Sequence, residues 1–203
     1  CARPGLDVWK ASAWADAKEY YNPKEVMEAA RLMLSVADRY KGNNNFEYDL
    51  VDVLRQAITE KGRLVLKVVS AAYKAEDQGL FAQASQRFLN LILLQDELLG
   101  TRKEFRVGNW TGMARNIGQT KEEKDLYEWN ARVQITTWGN HSASERGKLH
   151  DYAHKEWNGI LKDFYYMRWK TYFDGLTRSL KGEMVPVIDW YALEEPWTKV
   201  SDT

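Results

Sequence analysis

Apolar residues recur at intervals of three and four along most of this 203-residue chain, the spacing of a buried helical stripe. Asn22-Pro23-Lys24-Glu25 predicts the first helix start: Asn22 suits the N-cap, Pro23 the first helical position, and Glu25 closes a capping box. Val26, Ala30, Met33, Ala37 and Tyr40 carry the stripe, and Gly42-Asn43-Asn44-Asn45 ends it with residues that tolerate left-handed backbone. A long helix is predicted from about Phe46 to Ala75, with Leu50, Leu54, Ala57, Ile58, Leu64, Val68 and Ala72 on one side. Gly62 weakens it by ~1 kcal/mol relative to Ala and reads as a bend. After Gly79, Phe81, Ala84, Phe88, Leu91, Gln95 and Leu98 define a cleaner amphipathic helix that closes at Leu99-Gly100.

Lys103 to Ile117 is a shorter helical stretch interrupted at Gly108-Asn109. Thr120-Lys121-Glu122-Glu123 is a second capping box and opens a helix through Leu126, Trp129 and Val133 to Trp138. Gly139 to Lys148 is polar and small and reads as a loop. A second long helix is predicted from about Leu149 to Leu180, lined by Trp157, Leu161, Phe164, Trp169, Tyr172, Phe173 and Leu176. Beyond Gly182 the chain reads as a tail around Pro186 and Pro196. Strict alternation does not persist; Val185 to Ile188 comes nearest and Pro186 breaks it. No fixed repeat is present, which argues against a solenoid. The expected fold is all-α, a bundle of about six helices, two of them long, with residues 1–182 as the helical domain and 183–203 as the tail.

Charge narrows the function classes. Lys+Arg and Asp+Glu both number 29, giving zero net charge, so nothing favours nucleic acid or an acidic membrane surface as partner. No apolar run approaches the ~20 residues of a membrane span; Leu89 to Leu99 is broken by Asn90, Gln95, Asp96 and Glu97. Cys1 is the single cysteine, so no internal disulfide can form, which fits either a cytosolic or a secreted domain. The opening Cys-Ala-Arg-Pro-Gly reads as the interior of a longer protein. Nine Trp and eleven Tyr supply rings that fill cores and also stack on sugars.

Self-contained catalytic chemistry is not evident. His150 and His154 have the i, i+4 spacing of a zinc-binding helix, but the motif's Glu is replaced by Asp151, and two solvated histidines explain the pattern better. No metal or other cofactor is expected. Ser142 and Ser144 lack a nucleophile-elbow frame. Asn109-Trp110-Thr111 matches a glycosylation acceptor pattern that is frequent by chance. Glu122, Glu123 and Asp125 sit at a helix start, where they favour the macrodipole. The most suggestive segment is the loop bracketed by Trp138 and Tyr152, which can either wall a pocket or simply pack its rings in the bundle.

An ordered set of segments gives a family likeness. Cys1-Ala-Arg-Pro, Tyr21-Asn22, Ala30-Arg31-Leu32, Phe46 to Ala57, Leu98-Leu99-Gly100, Tyr127 to Arg132, Thr136-Thr137-Trp138-Gly139, Asp151-Tyr152-Ala153 and Tyr165 to Trp169 together resemble the C-terminal helical domain of the family-89 glycoside hydrolases, the α-N-acetylglucosaminidases. The likeness spans about Cys1 to Leu176. It implies an N-terminal domain and a TIM-type catalytic barrel upstream in the same polypeptide, two barrel glutamates that remove terminal α-linked N-acetylglucosamine with retention, and a secreted, periplasmic or lysosomal location. No catalytic residue is then expected in this chain, and Glu97, Glu128 and Glu156 are not substitutes. The resemblance implies substrate-binding roles for Trp138, Tyr152 and Leu149. The spacer from Gly139 to Asp151, which contains Leu149, is longer than in lysosomal members and implies a different leaving-group subsite. A helical scaffold with no part in substrate binding is the alternative; a freestanding carbohydrate-binding module fits less well, because such modules are commonly β-rich.

Overall fold

The computed structural model describes residues 3–8, 20–151, 153 and 155–201. Among these residues seven α-helices and no strand occur: α1 Pro23–Ser35, α2 Asn44–Lys74, α3 Gln78–Gly100, α4 Val107–Arg115, α5 Lys121–Gln134, α6 Tyr166–Leu180 and α7 Trp190–Thr198. The expected all-α bundle is present, and its helix starts follow local chemistry. Asn43 and Asp77 cap α2 and α3 by accepting the N–H groups of Phe46 and Leu80. Thr120 and Glu123 form a reciprocal capping box on α5. Asn22 accepts the N–H of Lys24 at the start of α1.

The core lies between α2, α3 and α6. Val65, Leu66, Val69 and Ala72 of α2 meet Phe81, Ala84, Phe88, Leu89 and Ile92 of α3. Trp169 and Phe173 of α6 close over them, with Phe88 and Trp169 ring centroids 4.7 Å apart. Each such aromatic contributes about 2–3 kcal/mol of burial. Gly62 lies within unbroken α2, and a Cβ there would sit 3.4 Å from the Phe88 ring. This glycine therefore marks close helix–helix approach rather than a bend.

Two departures from the predicted elements shape the functional surface. The helix expected from Leu149 starts much later: a π-helical turn at Leu161–Tyr165 leads into α6, and the described residues among 149–158 carry no helix. The reason is tertiary. Asp96 of α3 accepts Asn158 Nδ2 at 2.8 Å and the N–H groups of Gly159 and Lys162 at 2.7 and 3.1 Å. A buried carboxylate from another helix thus caps the start of this segment, while Gly159 adopts φ +94°. The second departure lies beyond Gly182, where the expected tail contains α7. Asp189 caps α7 by accepting the Ala192 N–H. Trp197 packs on Phe164 at 5.6 Å, and Glu194 is buried. Pro196 sits inside this short helix without preventing it.

Candidate functional site

Helix α5 stops at Gln134, short of Trp138. The chain turns through buried Ile135, Thr136 and Thr137, and Trp138 then adopts φ +62°. That left-handed geometry costs a non-glycine residue roughly 1–2 kcal/mol. It is held by the Trp138 N–H, which donates to the Val133 carbonyl at 2.8 Å. The indole is half-buried. Lys148 and Asp151 are also left-handed, at φ +53° and +62°, and the Asp151 N–H donates to the Thr136 carbonyl at 3.1 Å. The segment from Trp138 to Asp151 therefore leaves the bundle and returns to the same turn.

Its middle is also pinned. Residues Ser142–Arg146 form a π-helical turn, Ser144 is fully buried, and His150 Nδ1 lies 3.0 Å from the Ser144 carbonyl. The region expected as a solvated loop is thus partly built into the fold. His150 is not on a helix, which removes the helix-face premise of the His150–His154 pair; His154 lies outside the described residues. Among the described residues no cluster of three or more His, Cys, Asp or Glu could hold a metal.

An ionic ladder runs beneath the segment. Arg3 donates to both carboxylate oxygens of Glu145 at 2.5 and 3.0 Å, and to both of Glu194 at 3.0 Å. Arg168 Nε lies 2.8 Å from Glu194 Oε1, close enough for an ion pair though not aligned as a hydrogen bond. Arg168 Nη1 donates to Asp151 Oδ1 at 2.7 Å. Arg168 and Glu194 are essentially inaccessible. The Arg168 guanidinium also lies 4.3 Å from the Phe164 ring centroid. Hydrogen bonds from Arg3 hold the Glu145 carboxyl below its ordinary pKa. Burial, reinforced by the Asp151 charge, pushes the nearby Tyr165 phenol far above its ordinary range, so it stays protonated.

Of the three predicted contact residues, Trp138 and Leu149 lie on this one segment, and Leu149 is 42% exposed. Tyr152 lies outside the described residues. A separate groove of about 640 Å³ between α6 and α7 is lined by Met167, Leu193, Trp197 and Arg132; Trp138 and Leu149 do not line it. Two of the three glutamates set aside from catalysis have structural partners: Glu128 pairs with buried Arg132 at 3.1 Å, and Glu156 accepts Gln95 Nε2 at 3.0 Å; Glu97 is exposed. Thr111 of the glycosylation-like triplet is buried, and the Asn109 amide is taken by the Lys103 carbonyl, so the triplet is part of the fold. Sequence reasoning did not single out Arg3, Glu145, Arg168 or Glu194, because partners scattered over the whole chain leave no local pattern. The one available signal was that Arg3, Asp151 and Arg168 fall within segments that carry the family likeness.

Comparison with known proteins agrees with that likeness. The family model described as "Alpha-N-acetylglucosaminidase (NAGLU) C-terminal domain" matches residues 1–203. The chain is 32% identical over 179 residues to human alpha-N-acetylglucosaminidase, covering 88% of this chain and 22% of that protein. Among solved structures, a family 89 glycoside hydrolase from Clostridium perfringens, in complex with its substrate GlcNAc-alpha-1,4-galactose, superposes with a TM-score of 0.91 at 35% identity. That match covers 98% of this chain and 23% of the other. The Clostridium perfringens family 89 enzyme in complex with PUGNAc gives the same TM-score at 36% identity, again over 98% and 23% of the two chains.

Proposed function

The chain belongs to the alpha-N-acetylglucosaminidase C-terminal domain family, and from that premise we propose that it packs on a catalytic barrel of the same polypeptide and walls part of the pocket for terminal α-linked N-acetylglucosamine. The observation that carries this reading is Trp138: a half-buried indole on left-handed backbone at the mouth of a pinned segment. Strained backbone persists where surrounding structure over-determines it, and such places cluster at functional sites.

The chemistry divides between two domains. Two barrel carboxylates carry out a double displacement with retention: one attacks the anomeric carbon, and the other protonates the leaving oxygen and then activates water. This chain supplies no carboxylate to that step. Trp138 offers an aromatic face to the C–H surface of the sugar, Leu149 offers an apolar wall, and the Tyr152 hydroxyl offers a hydrogen bond to a sugar hydroxyl. Excluding water from the pocket also raises the pKa of a neighbouring acid, which suits proton donation. The relative bound to GlcNAc-alpha-1,4-galactose supports a terminal N-acetylglucosaminide as the substrate class. The reading carries with it a secreted, periplasmic or lysosomal location.

The test is hydrolysis of a chromogenic α-N-acetylglucosaminide by this chain alone, by the full-length protein that contains it, and by that protein with Trp138→Ala. Only the latter two are expected to turn over. The substitution lowers kcat/KM by about 10- to 100-fold, the scale of one buried contact left unmade. Unchanged kcat/KM in a folded Trp138→Ala protein would assign the domain to scaffolding instead.

A further inference from the structure

We propose that Glu194 of α7 is a positioning residue for the Trp138–Asp151 segment, acting through Arg3 and Arg168; the proposal rests on the reading that this segment walls the sugar pocket. Glu194 reaches the segment twice without bonding to it. Through Arg3 it is linked to Glu145 in the middle of the segment, and through Arg168 to Asp151 at its end. Its carboxylate is completely buried, and its helix lies in the region that sequence pattern alone reads as a tail.

Stability alone is a weak reason for this ladder. Three carboxylates and two guanidiniums are taken partly or wholly out of water, and such buried networks often stabilise no more than well-packed apolar side chains of the same volume. What directional ion pairs supply is a fixed geometry, and this segment needs it. Trp138, Lys148 and Asp151 all hold left-handed backbone, so the segment has a ready route to relax once its anchors loosen. A displacement of ~1 Å in a substrate-positioning group can cost on the order of 100-fold in rate. Replacing Glu194 with the near-isosteric Gln leaves each arginine one carboxylate, Glu145 for Arg3 and Asp151 for Arg168. The variant therefore strands no lone buried charge, and it loosens the link while sparing the fold.

The experiment uses the full-length protein with a chromogenic α-N-acetylglucosaminide and a four-member cycle: parent, Trp138→Ala, Glu194→Gln and the double variant. Each is assayed well below its melting temperature. Glu194→Gln alone is expected to lower kcat/KM by about tenfold, and by less than about twofold in the Trp138→Ala background, because both changes act through one wall. Amide hydrogen exchange is expected to quicken between Trp138 and Asp151 while helices α2 and α3 remain protected. Losses that multiply independently, or an unaltered Glu194→Gln rate beside a slowed Trp138→Ala protein, overturn the positioning role and leave the pocket reading standing. An unaltered Trp138→Ala rate overturns both. If Glu194→Gln does not fold, Arg3→Met, which removes the Glu145 arm at the half-exposed end of the ladder, is put through the same cycle under the same criteria.

Discussion

The N–H of Asp151 donates to the carbonyl of Thr136 at 3.1 Å. This one bond joins the point where the chain leaves the bundle to the point where it returns. Trp138 stands just past the first point, with its own N–H committed to Val133. The same Asp151 gives its carboxylate to Arg168, so main chain and side chain of one residue tie the segment to the turn after α5 and to α6. Trp138 and Leu149 are thereby set on an anchored segment rather than on a free loop.

The strain at Trp138 can be separated from its proposed contact. Glycine adopts φ +62° without penalty, whereas alanine does not. Trp138→Gly is expected to be about 1 kcal/mol more stable than Trp138→Ala by urea unfolding, while both lose kcat/KM to a similar extent in the full-length protein. A Gly variant no more stable than the Ala variant contradicts the strain.

Gly159 and Gly42 make a matched pair. Both have positive φ, +94° and +84°, but a Cβ at Gly159 would meet Val107 Cγ1 at 2.8 Å, and one at Gly42 would meet nothing within 4 Å. Gly42→Ala is expected to cost about 1 kcal/mol for backbone alone, and Gly159→Ala about 2 kcal/mol or more once the clash is added. Thermal melts of the two variants check the order.

Asp96 satisfies three donors at once. Asp96→Ala orphans the N–H groups of Gly159 and Lys162 and leaves the Asn158 amide only the backbone carbonyl of residue 96, a loss of about 3 kcal/mol. Asp96→Asn keeps the shape but weakens acceptance, and its melting temperature is expected to lie between those of parent and Ala variant.

Acid sensitivity follows from Glu145. Its folded pKa lies below the ordinary value of 4.5 because Arg3 donates hydrogen bonds to its charged form. A lowered folded pKa contributes stability that is present above the ordinary value and is lost as pH falls through the folded one. The parent melting temperature is expected to drop as pH falls below the ordinary carboxyl value of 4.5, and Glu145→Gln to melt lower at neutral pH with a shallower acid fall. Parallel curves would remove Glu145 from the acid response.

Truncation tests the end of the chain. Trp197→Ala removes a ring packed on Phe164 and lying 4.8 Å from the Arg132 guanidinium, and is expected to cost about 3 kcal/mol. Ending the chain at Gly182 is expected to cost more, since it also strips Arg168 and Arg3 of Glu194. A truncated chain that melts like the parent means that α7 contributes nothing to the fold.

Local pattern determined the bundle. Period-three-and-four apolar stripes, the Asn22 and Thr120 caps and the Gly42 turn act within a few residues of chain, so the sequence alone located α1 to α5 and the inward face of α6, though not the end of α5. The family resemblance also singled out Trp138 as a candidate contact. Tertiary structure decided the rest. Asp96 reaching from α3 delays α6, a Phe88 edge explains Gly62, and α7 forms because Trp197 and Glu194 find partners far away in sequence. The ladder from Glu145 to Asp151 joins residues from both ends of the chain. Long-range ion pairs have no period and no fixed spacing, so their partners become visible only when folding brings the elements together.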